Sequence, residues 1–349
     1  MKVWAFLYQM KEGNKKVIVA FSGGVDSSTS SLLLKKQGFD VSAVFMRLVD
    51  SPYFRFAEER AKELAESMGI PFSVLDLRRK FKKEVIDYFI GGYENGITPN
   101  PCVMCNREIK FGLFLDNALK MKADFIATGH YAVTRKKKDG VHIYQSVDPK
   151  KDQSYFLWRL GQKQLSKVLF PVGLQTKDAT RSIAKKNRLA SASFPESQEV
   201  CFVKEINADY LGKHIKKKKG DIADTKGNIL GEHEGVWFYT IGQRKGIGLS
   251  GGPYWVIKKD IKKNRLVVSG REKDLFGKEA RFKNANWISG KAPELPLKIK
   301  AKIRYGHRPA SGTLFKNKVV FNGPQRAITP GQSIVFYKGK EMLGGGVIV

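Results

Sequence analysis

The chain has 349 residues, of which 42% are hydrophobic and 28% are charged, so its composition excludes the disordered and fibrous classes and its length allows more than one hydrophobic core. Lys and Arg number 63 against 33 Asp and Glu, and the net charge of +30 favours nucleic acid as a partner, although Lys-rich exposed loops such as residues 136–138 and 216–219 would raise the count by themselves. The sequence has no run of about 20 apolar residues that could cross a bilayer, and its first 16 residues lack a signal-peptide core. Three cysteines cannot build a disulfide framework. We therefore expect a cytoplasmic protein without a membrane partner.

The first predicted elements are a strand at residues 17–21 and a helix at residues 28–37, joined by Ser-Gly-Gly-Val-Asp-Ser at residues 22–27. Two glycines and several hydroxyls at the start of a helix place backbone N–H groups and the positive helix end around one point, which favours a bound phosphate. Asp26 either caps the helix or binds Mg²⁺. An ordinary Gly-rich turn with a Ser cap is the structural alternative.

Further strands and helices alternate along the first half of the chain. Strands separated by helices of this length predict right-handed crossovers and a parallel sheet with helices on both faces. The predicted strands are residues 41–46, 72–75 and 125–128, and the predicted helices are residues 57–68, 81–90 and 111–121.

The cysteines lie in polar segments outside any obvious apolar stripe. Cys102 and Cys105 follow two prolines, and Cys201 follows a Glu-containing segment. Because the prolines should bar a helix while residues 106–121 have a helical pattern, we expect Cys105 at a helix N-terminus, where the pKa of its thiol would be lowered. A buried, inert thiol is the alternative for each cysteine.

Beyond residue 207 glycine becomes more frequent and short β-rich runs replace the helical pattern. Residues 254–257 and 265–269 predict a hairpin, and four later runs predict a small barrel or sandwich. Those runs are residues 297–304, 319–321, 333–337 and 346–349. With linkers near residues 207–221 and 270–282, the predicted domains are residues 1–206, 207–275 and 276–349.

The hexapeptide at residues 22–27 resembles the signature of the N-type ATP pyrophosphatases, which cleave ATP between the α and β phosphates and adenylate an acceptor oxygen. Blocks along nearly the whole chain resemble the tRNA-specific 2-thiouridylases. These blocks are residues 128–132, 151–156, 169–171, 196–201, 239–246, 303–305 and 330–332. The resemblance implies an α/β protein with a parallel-sheet, Rossmann-like ATP pyrophosphatase domain, a small central domain and a C-terminal β-barrel.

The same resemblance implies a reaction. ATP and Mg²⁺ would be used to adenylate the C2 oxygen of a tRNA wobble uridine, and sulfur from a cysteine persulfide would displace AMP. The implied partners are tRNA and a sulfur-relay protein or cysteine desulfurase. Cys105 would be the nucleophile and Cys201 the persulfide carrier, with a transient disulfide between them.

The remaining site residues are carried over from the family pattern. Residues implied to bind ATP are Ala20, Phe21, Ser22, Gly23, Gly24, Val25, Asp26, Ser27, Met46 and Gly129. Residues implied to contact tRNA or its target base are Asn100, Pro101, Cys102, His130, Lys151, Asp152, Gln153, Arg304, Tyr305 and Gln332. A lone His after an apolar strand is as often a hydrogen-bonded structural residue as a nucleic-acid contact, so His130 has both interpretations.

The chain departs from the family pattern at Cys102, where many members carry Asp. Cys102, Cys105 and Cys201 together could hold a [4Fe–4S] cluster that carries the sulfur, an alternative to the persulfide route. Two other functions fit fewer of the features: an ATP pyrophosphatase ligase acting on a small metabolite, and a non-catalytic RNA-binding protein. The metabolite ligase needs neither the +30 charge nor the paired thiols.

Overall fold

The computed structural model describes residues 15–195, 201–202 and 208–349. Its N-terminal part is a five-stranded parallel sheet in the order β3-β2-β1-β4-β7. Those strands are β1 (Lys16–Ala20), β2 (Asp40–Arg47), β3 (Phe72–Asp76), β4 (Phe125–Ala127) and β7 (Val168–Leu169). The helices are α1 (Val25–Lys36), α2 (Pro52–Ser67), α3 (Arg78–Phe81), α4 (Asp87–Glu94), α5 (Pro101–Met104), α6 (Phe114–Lys120), α7 (Gln162–Leu165), α8 (Lys177–Lys186) and α9 (Ala208–Gly212). The predicted parallel sheet is confirmed, and none of these helices has the length and apolarity to cross a bilayer.

The central strand β1 is buried on both faces because helices cover both sides of the sheet. Alternate residues point to opposite faces, so Ile18 enters one apolar cluster while Val17 and Val19 enter another. Strand order reverses between β1 and β4, since β2 and β3 lie on one side of β1 and β7 follows β4 on the other. Ligands of such sheets bind at the carboxyl ends of the strands beside this reversal.

A small mixed sheet follows, in the order β10-β11-β8-β9. The predicted hairpin is confirmed as the antiparallel pair β10 and β11. The strands are β8 (Gly220–Ala223), β9 (Ile229–His233), β10 (Trp255–Asp260) and β11 (Arg265–Ser269). Its own core contains Ile222, Val256 and Leu266, all fully buried.

The C-terminal part is a closed antiparallel barrel of six strands in the order β12-β15-β14-β13-β16-β17, with β17 pairing back to β12. The strands are β12 (Phe276–Trp287), β13 (Leu297–Lys302), β14 (Ala310–Leu314), β15 (Lys318–Arg326), β16 (Ser333–Lys338) and β17 (Glu341–Ile348). The barrel prediction is therefore confirmed. Closure pairs the first strand of the barrel with the last, so that within the barrel only the start of β17 is left to pair with a further strand.

One hairpin was not predicted from the sequence. Strands β5 (Ala132–Lys137) and β6 (Gly140–Gln145) pair with each other and extend the barrel sheet through β6 and β17, where Ile143 lies opposite Met342. The alternative of a plain exposed loop at residues 136–138 is wrong for its first two positions, which end β5. Exposed lysines are typical of an edge strand, and β5 is the edge here.

Candidate nucleotide and thiol site

The loop between β1 and α1 has a conformation that only glycine suits at Gly23. Its φ is +72°, and a Cβ there would lie 3.0 Å from Cα of Ala61 in α2. The hydroxyls of Ser27 and Ser28 both donate to the carbonyl of Gly24, at 3.0 and 3.1 Å. Ser28 also bonds Ser191 at 2.7 Å and is fully buried, so its hydroxyl is used internally.

Three residues implied to bind ATP come together where neighbouring strands end. Ala20 ends β1, Met46 lies one residue before the end of β2, and Gly129 follows β4 by two residues. A Cβ on Gly129 would lie 2.8 Å from Cβ of Asp26 and 2.9 Å from the backbone nitrogen of Ser27. Gly129 is therefore packed directly on the loop, at the carboxyl edge where α/β sheets bind ligands.

Asp26 is held by two side chains that the sequence did not single out. Its carboxylate accepts hydrogen bonds from Nζ of Lys177 at 2.7 and 2.8 Å and from the hydroxyl of Tyr131 at 2.8 Å. The helix-capping role predicted for Asp26 is wrong: the cap residue of α1 is Gly24, and no side chain caps this helix. Burial and the Asp26 carboxylate raise the pKa of Tyr131, which keeps its hydroxyl a donor.

The helix that carries Cys102 and Cys105 begins earlier than predicted. It starts with α5 (Pro101–Met104), continues as a π-helical segment (Cys105–Leu113) and ends with α6. Proline suits the first helical position because no hydrogen bond is needed from its nitrogen there. The side chain of Asn100 caps the helix by accepting from the N–H of Val103 at 3.4 Å. Cys102 thus lies in the first turn and Cys105 one turn further in.

The predicted lowering of the Cys105 pKa is also wrong. Cys105 is buried in an apolar cluster with Phe81, Val85 and Ile109, and this burial raises the pKa of its thiol to about 12, against a smaller opposing effect of the Lys110 charge. The position inside the helix removes it from the N-terminal N–H groups, and the loss of hydration then dominates. In this state Cys105 is a neutral thiol at neutral pH.

Cys201 lies beside the same cluster. Part of the residue is exposed to solvent, but the protein packed around its sulfur excludes enough water to raise the pKa of the thiol. The next residue, Phe202, packs edge-on against Phe81 at 5.7 Å and Phe89 at 5.6 Å between ring centroids. Since Phe81 and Cys105 belong to one cluster, Phe202 anchors Cys201 near Cys105. The preceding motif residues 196–200 lie outside the described residues.

Within the described ranges, no three His, Cys, Asp or Glu side chains are arranged to hold a metal ion. The three thiols therefore do not form a ready cluster site in this structure. A magnesium site at Asp26 has simpler requirements than a cluster site, because Mg²⁺ bound to a nucleotide needs only one or two carboxylates besides the phosphates. Asp26 suits that role.

Comparison with known proteins gives a consistent assignment. Residues 15–205 match a family model described as the tRNA methyl transferase HUP domain, residues 208–270 match the tRNA methyl transferase PRC-barrel domain, and residues 278–348 match the aminomethyltransferase beta-barrel domain. The tRNA-specific 2-thiouridylase MnmA of Clostridioides difficile is 46% identical, with 96% of this chain and 98% of that protein covered. The protein of the same name from Syntrophomonas wolfei is 45% identical, with 95% and 99% covered. This chain belongs to the tRNA-specific 2-thiouridylase family.

The model description speaks of a methyl transferase, whereas the relatives matched over nearly their full length are named thiouridylases, and the extent of that identity decides between the two names. Among solved structures, the U34-tRNA thiolase NcsA from Methanococcus maripaludis with its [4Fe-4S] cluster is 20% identical, covering 57% of this chain and 65% of that one, with a TM-score of 0.39. A likeness at that score supports no argument about a cluster here.

Several residues that the 2-thiouridylase pattern assigns to tRNA contact have internal partners in this structure. His130 bonds the hydroxyl of Thr128 at 2.7 Å and packs against the rings of Phe111 and Phe170, and burial lowers its pKa well below the usual value. A buried, neutral imidazole favours the structural interpretation of His130.

Internal hydrogen bonds also fix the segment of residues 151–153. Asp152 is 2% exposed, and its carboxylate accepts hydrogen bonds from Gln145, Ser146 and Ser154. Gln153 exchanges hydrogen bonds with the backbone of Tyr131, at 2.8 and 3.0 Å. Lys151 is half-buried. The segment is therefore presented in a defined shape, close to the residues that hold Asp26.

The residues of the C-terminal part that the family pattern assigns to tRNA lie near the start of the helix that carries Cys102 and Cys105, called the cysteine helix below. Gln332 donates from Nε2 to the carbonyl of Thr98 at 2.9 Å, and the N–H of Thr98 donates to the carbonyl of Pro330 at 2.9 Å. Arg304 donates to the hydroxyl of Thr329 at 3.2 Å. Tyr305 packs on Phe156 at 4.5 Å between ring centroids, and Pro101 is buried while Cys102 is half-buried.

Proposed function

We propose that this chain uses ATP to replace the C2 oxygen of the tRNA wobble uridine with sulfur. One observation carries the proposal. Met46 lies at the strand edge that borders the loop of residues 22–27, called the phosphate loop below, and it also packs against the apolar cluster that contains Cys105. Phe111 of the cysteine helix in turn contacts His130, the neighbour of Gly129. A nucleotide on the loop and the thiols on the helix would therefore border one space, and the relatives are named for this reaction.

In the first step the uridine O2 attacks the α phosphorus of ATP, pyrophosphate leaves, and N3 of the base loses its proton. The backbone N–H groups around Gly23 and Gly24 and the positive end of α1 would bind the phosphates. Mg²⁺, when bound at Asp26, would neutralise developing charge on the phosphate oxygens. Adenylation converts a poor leaving oxygen into a phosphate leaving group.

In the second step the terminal sulfur of a persulfide on Cys201 attacks C2, and AMP leaves with the electron pair of the C2–O bond. Cys105, a neutral thiol in the structure, then gives up its proton, which balances the proton that N3 takes up, and its sulfur attacks Sγ of Cys201 to form a Cys105–Cys201 disulfide. The bond between the two persulfide sulfurs breaks, its electron pair goes to the sulfur on C2, and N3 takes up a proton to give the thiocarbonyl. A dithiol reductant must supply two electrons to reopen the disulfide before the next turnover.

The exposure of Cys201 suits delivery of sulfur by another protein, such as a sulfur-relay protein or a cysteine desulfurase. The burial of Cys105 suits a thiol that reacts only after the substrate has been bound. The +30 charge suits tRNA as the polyanionic substrate. A metabolite ligase would need none of these three features.

The decisive experiment combines the chain with tRNA, ATP and a persulfide donor and measures thiolated uridine by mass spectrometry of the digested tRNA, with AMP measured in parallel. Cys105→Ser and Cys201→Ser should each abolish thiolation while tRNA binding persists. Full sulfur transfer by both variants would overturn the assignment. AMP formation that is indifferent to tRNA would favour the metabolite ligase, and no AMP with all components present would favour a non-catalytic RNA-binding protein.

A second measurement separates the two sulfur routes. Protein purified without oxygen is examined for iron content and for absorbance of an iron–sulfur chromophore, with Cys102→Ala as the comparison. Iron that is present in the wild type and lost in Cys102→Ala would replace the persulfide step by a cluster-bound sulfur. Iron-free protein that transfers persulfide sulfur supports the proposed route.

A further inference from the structure

Lys177 is a buried cation that is not among the residues implied to bind the nucleotide. It is 9% exposed, and its Nζ bonds both carboxylate oxygens of Asp26, in the phosphate loop, at 2.7 and 2.8 Å. Lysine is almost never buried to this extent unless its charge is paired. The pair joins residues 151 positions apart in the chain.

The backbone around Lys177 is fixed independently of this ion pair. Lys177 is the first residue of α8, whose cap is the side chain of Thr176, and its own N–H donates to the Asp148 carboxylate at 3.0 Å. Helix α8 packs along α1, where Thr29 donates to the carbonyl of Thr180 at 3.5 Å. The ammonium group therefore reaches the loop from a rigid helix start.

Asp26 creates an electrostatic problem for the proposed use of ATP. Its carboxylate lies in the first turn of α1, at the point where the triphosphate would be bound, and like charges a few ångströms apart repel strongly at a partly buried site. Without a cation beside it, Asp26 would oppose phosphate binding whenever Mg²⁺ is absent. A neutralising ammonium removes that opposition.

We infer that Lys177 is a positioning residue of the nucleotide site: it neutralises Asp26 and holds the phosphate loop in the shape that accepts the ATP triphosphate. This inference rests on the proposed function, since it assumes that the loop binds ATP. Lys177 acts through Asp26, so removing the carboxylate should make Lys177 dispensable for nucleotide binding.

The test is a double-mutant cycle with Lys177→Met, Asp26→Asn and the combined variant. Affinity for a non-hydrolysable ATP analogue is measured by calorimetry in EDTA, so that Asp26 cannot act through Mg²⁺. Lys177→Met should weaken binding about tenfold, the size expected for one unpaired charge at a partly exposed site. The combined variant should bind within about threefold of Asp26→Asn, because no negative charge is left to neutralise.

Equal weakening by Lys177→Met in both backgrounds would overturn the inference, because Lys177 would then contact the phosphates itself or support α8. Unchanged binding by Lys177→Met would overturn it as well. The comparison of Asp26→Asn with the combined variant still applies if Lys177→Met alone fails to fold, since neither of those proteins has a buried carboxylate at position 26. Circular dichroism checks that Asp26→Asn folds, because its buried Lys177 has lost the carboxylate partner. Wild-type protein that binds no ATP analogue would overturn the proposed function together with the inference, a result distinct from the other two.

Discussion

The reactivity of Cys105 depends on where one turn of helix places its sulfur. Cys102 and Cys105 are three residues apart, yet Cys102 lies in the first turn and Cys105 is enclosed by Phe81, Val85 and Ile109. Burial disfavours the charged form of a thiol, which is why the pKa of Cys105 rises to about 12. A thiol in this state resists oxidation and alkylation until its surroundings change.

Alkylation tests this protection. In the variant Cys102→Ala/Cys201→Ala, iodoacetamide should modify Cys105 at pH 8 at least about a hundredfold more slowly than a free cysteine, because only the thiolate reacts. A raised pKa means that the thiol stays protonated through neutral pH, so the rate should rise about tenfold per pH unit with no inflection below pH 9. Intact-protein mass spectrometry follows the reaction. The same variant in denaturant is the control, and an inflection near pH 8 in the native protein would contradict the burial of Cys105.

At the scale of elements, the π-helical segment Cys105–Leu113 sets the geometry of the cysteine helix. Such segments widen a helix locally and are frequent at functional sites. Gly112 is packed within this segment: a Cβ on it would lie 2.8 Å from the carbonyl oxygen of Arg107. Gly91, in α4, offers a contrast, because a Cβ there would have no atom within 4 Å.

These two glycines make a matched pair of substitutions. Gly91→Ala should stabilise the protein by roughly 0.5–1 kcal/mol, the usual gain of alanine over glycine in a helix. Gly112→Ala should destabilise it by about 1–2 kcal/mol, because the new methyl group forces the backbone of the π-helical segment to move. Midpoints of thermal unfolding measure both. A Gly112→Ala variant as stable as Gly91→Ala would show that the segment relaxes to an ordinary α-helix without cost.

At the scale of the whole molecule, Thr98 joins the three parts of the chain. Its hydroxyl bonds Thr240 of the central part at 3.1 Å, and its backbone bonds Pro330 and Gln332 of the barrel. A Cβ on Gly331 would lie 2.9 Å from the Thr98 backbone, so the barrel loop approaches as closely as a glycine allows. The segment that leads to Cys102 is therefore held by both later parts.

This junction makes a prediction about Gln332 that differs from a simple tRNA contact. Gln332→Ala should lower kcat for thiolation about tenfold, since a small misplacement of catalytic groups is costly, and should leave the Kd for tRNA within about threefold. Gln325→Ala is the matched control, because among the described residues the Gln325 side chain donates to the carbonyls of its near neighbours Gly323 and Pro324 alone. Single-turnover kinetics and filter binding give the two quantities. A large loss of tRNA affinity at unchanged kcat would assign Gln332 to the RNA instead.

Local sequence by itself determined the parts of this protein whose physics is local. The apolar run that forms β1, the glycines of the phosphate loop and the periodic start of α1 required only neighbouring residues, and the β-rich runs after residue 207 predicted the barrel. The pairing of Asp26 with Lys177 and Tyr131 could not be predicted, because these residues are 151 and 105 positions away. Lys177 lies in no recognised block, and the block of residues 128–132 that contains Tyr131 does not indicate which residue its hydroxyl contacts.

Only the tertiary structure decided the state of the thiols and the course of residues 132–145. The pKa of Cys105 follows from burial, which depends on Phe81, Val85 and the way the helix packs on them, whereas the sequence indicated only a nearby helix start. The sequence indicated only a Lys-rich exposed loop at residues 136–138, whereas the structure pairs β5 with β6 and β6 with β17. Burial and strand pairing depend on residues that are distant in the chain. A local sequence pattern therefore does not indicate which distant surface will bury a side chain or pair with a strand.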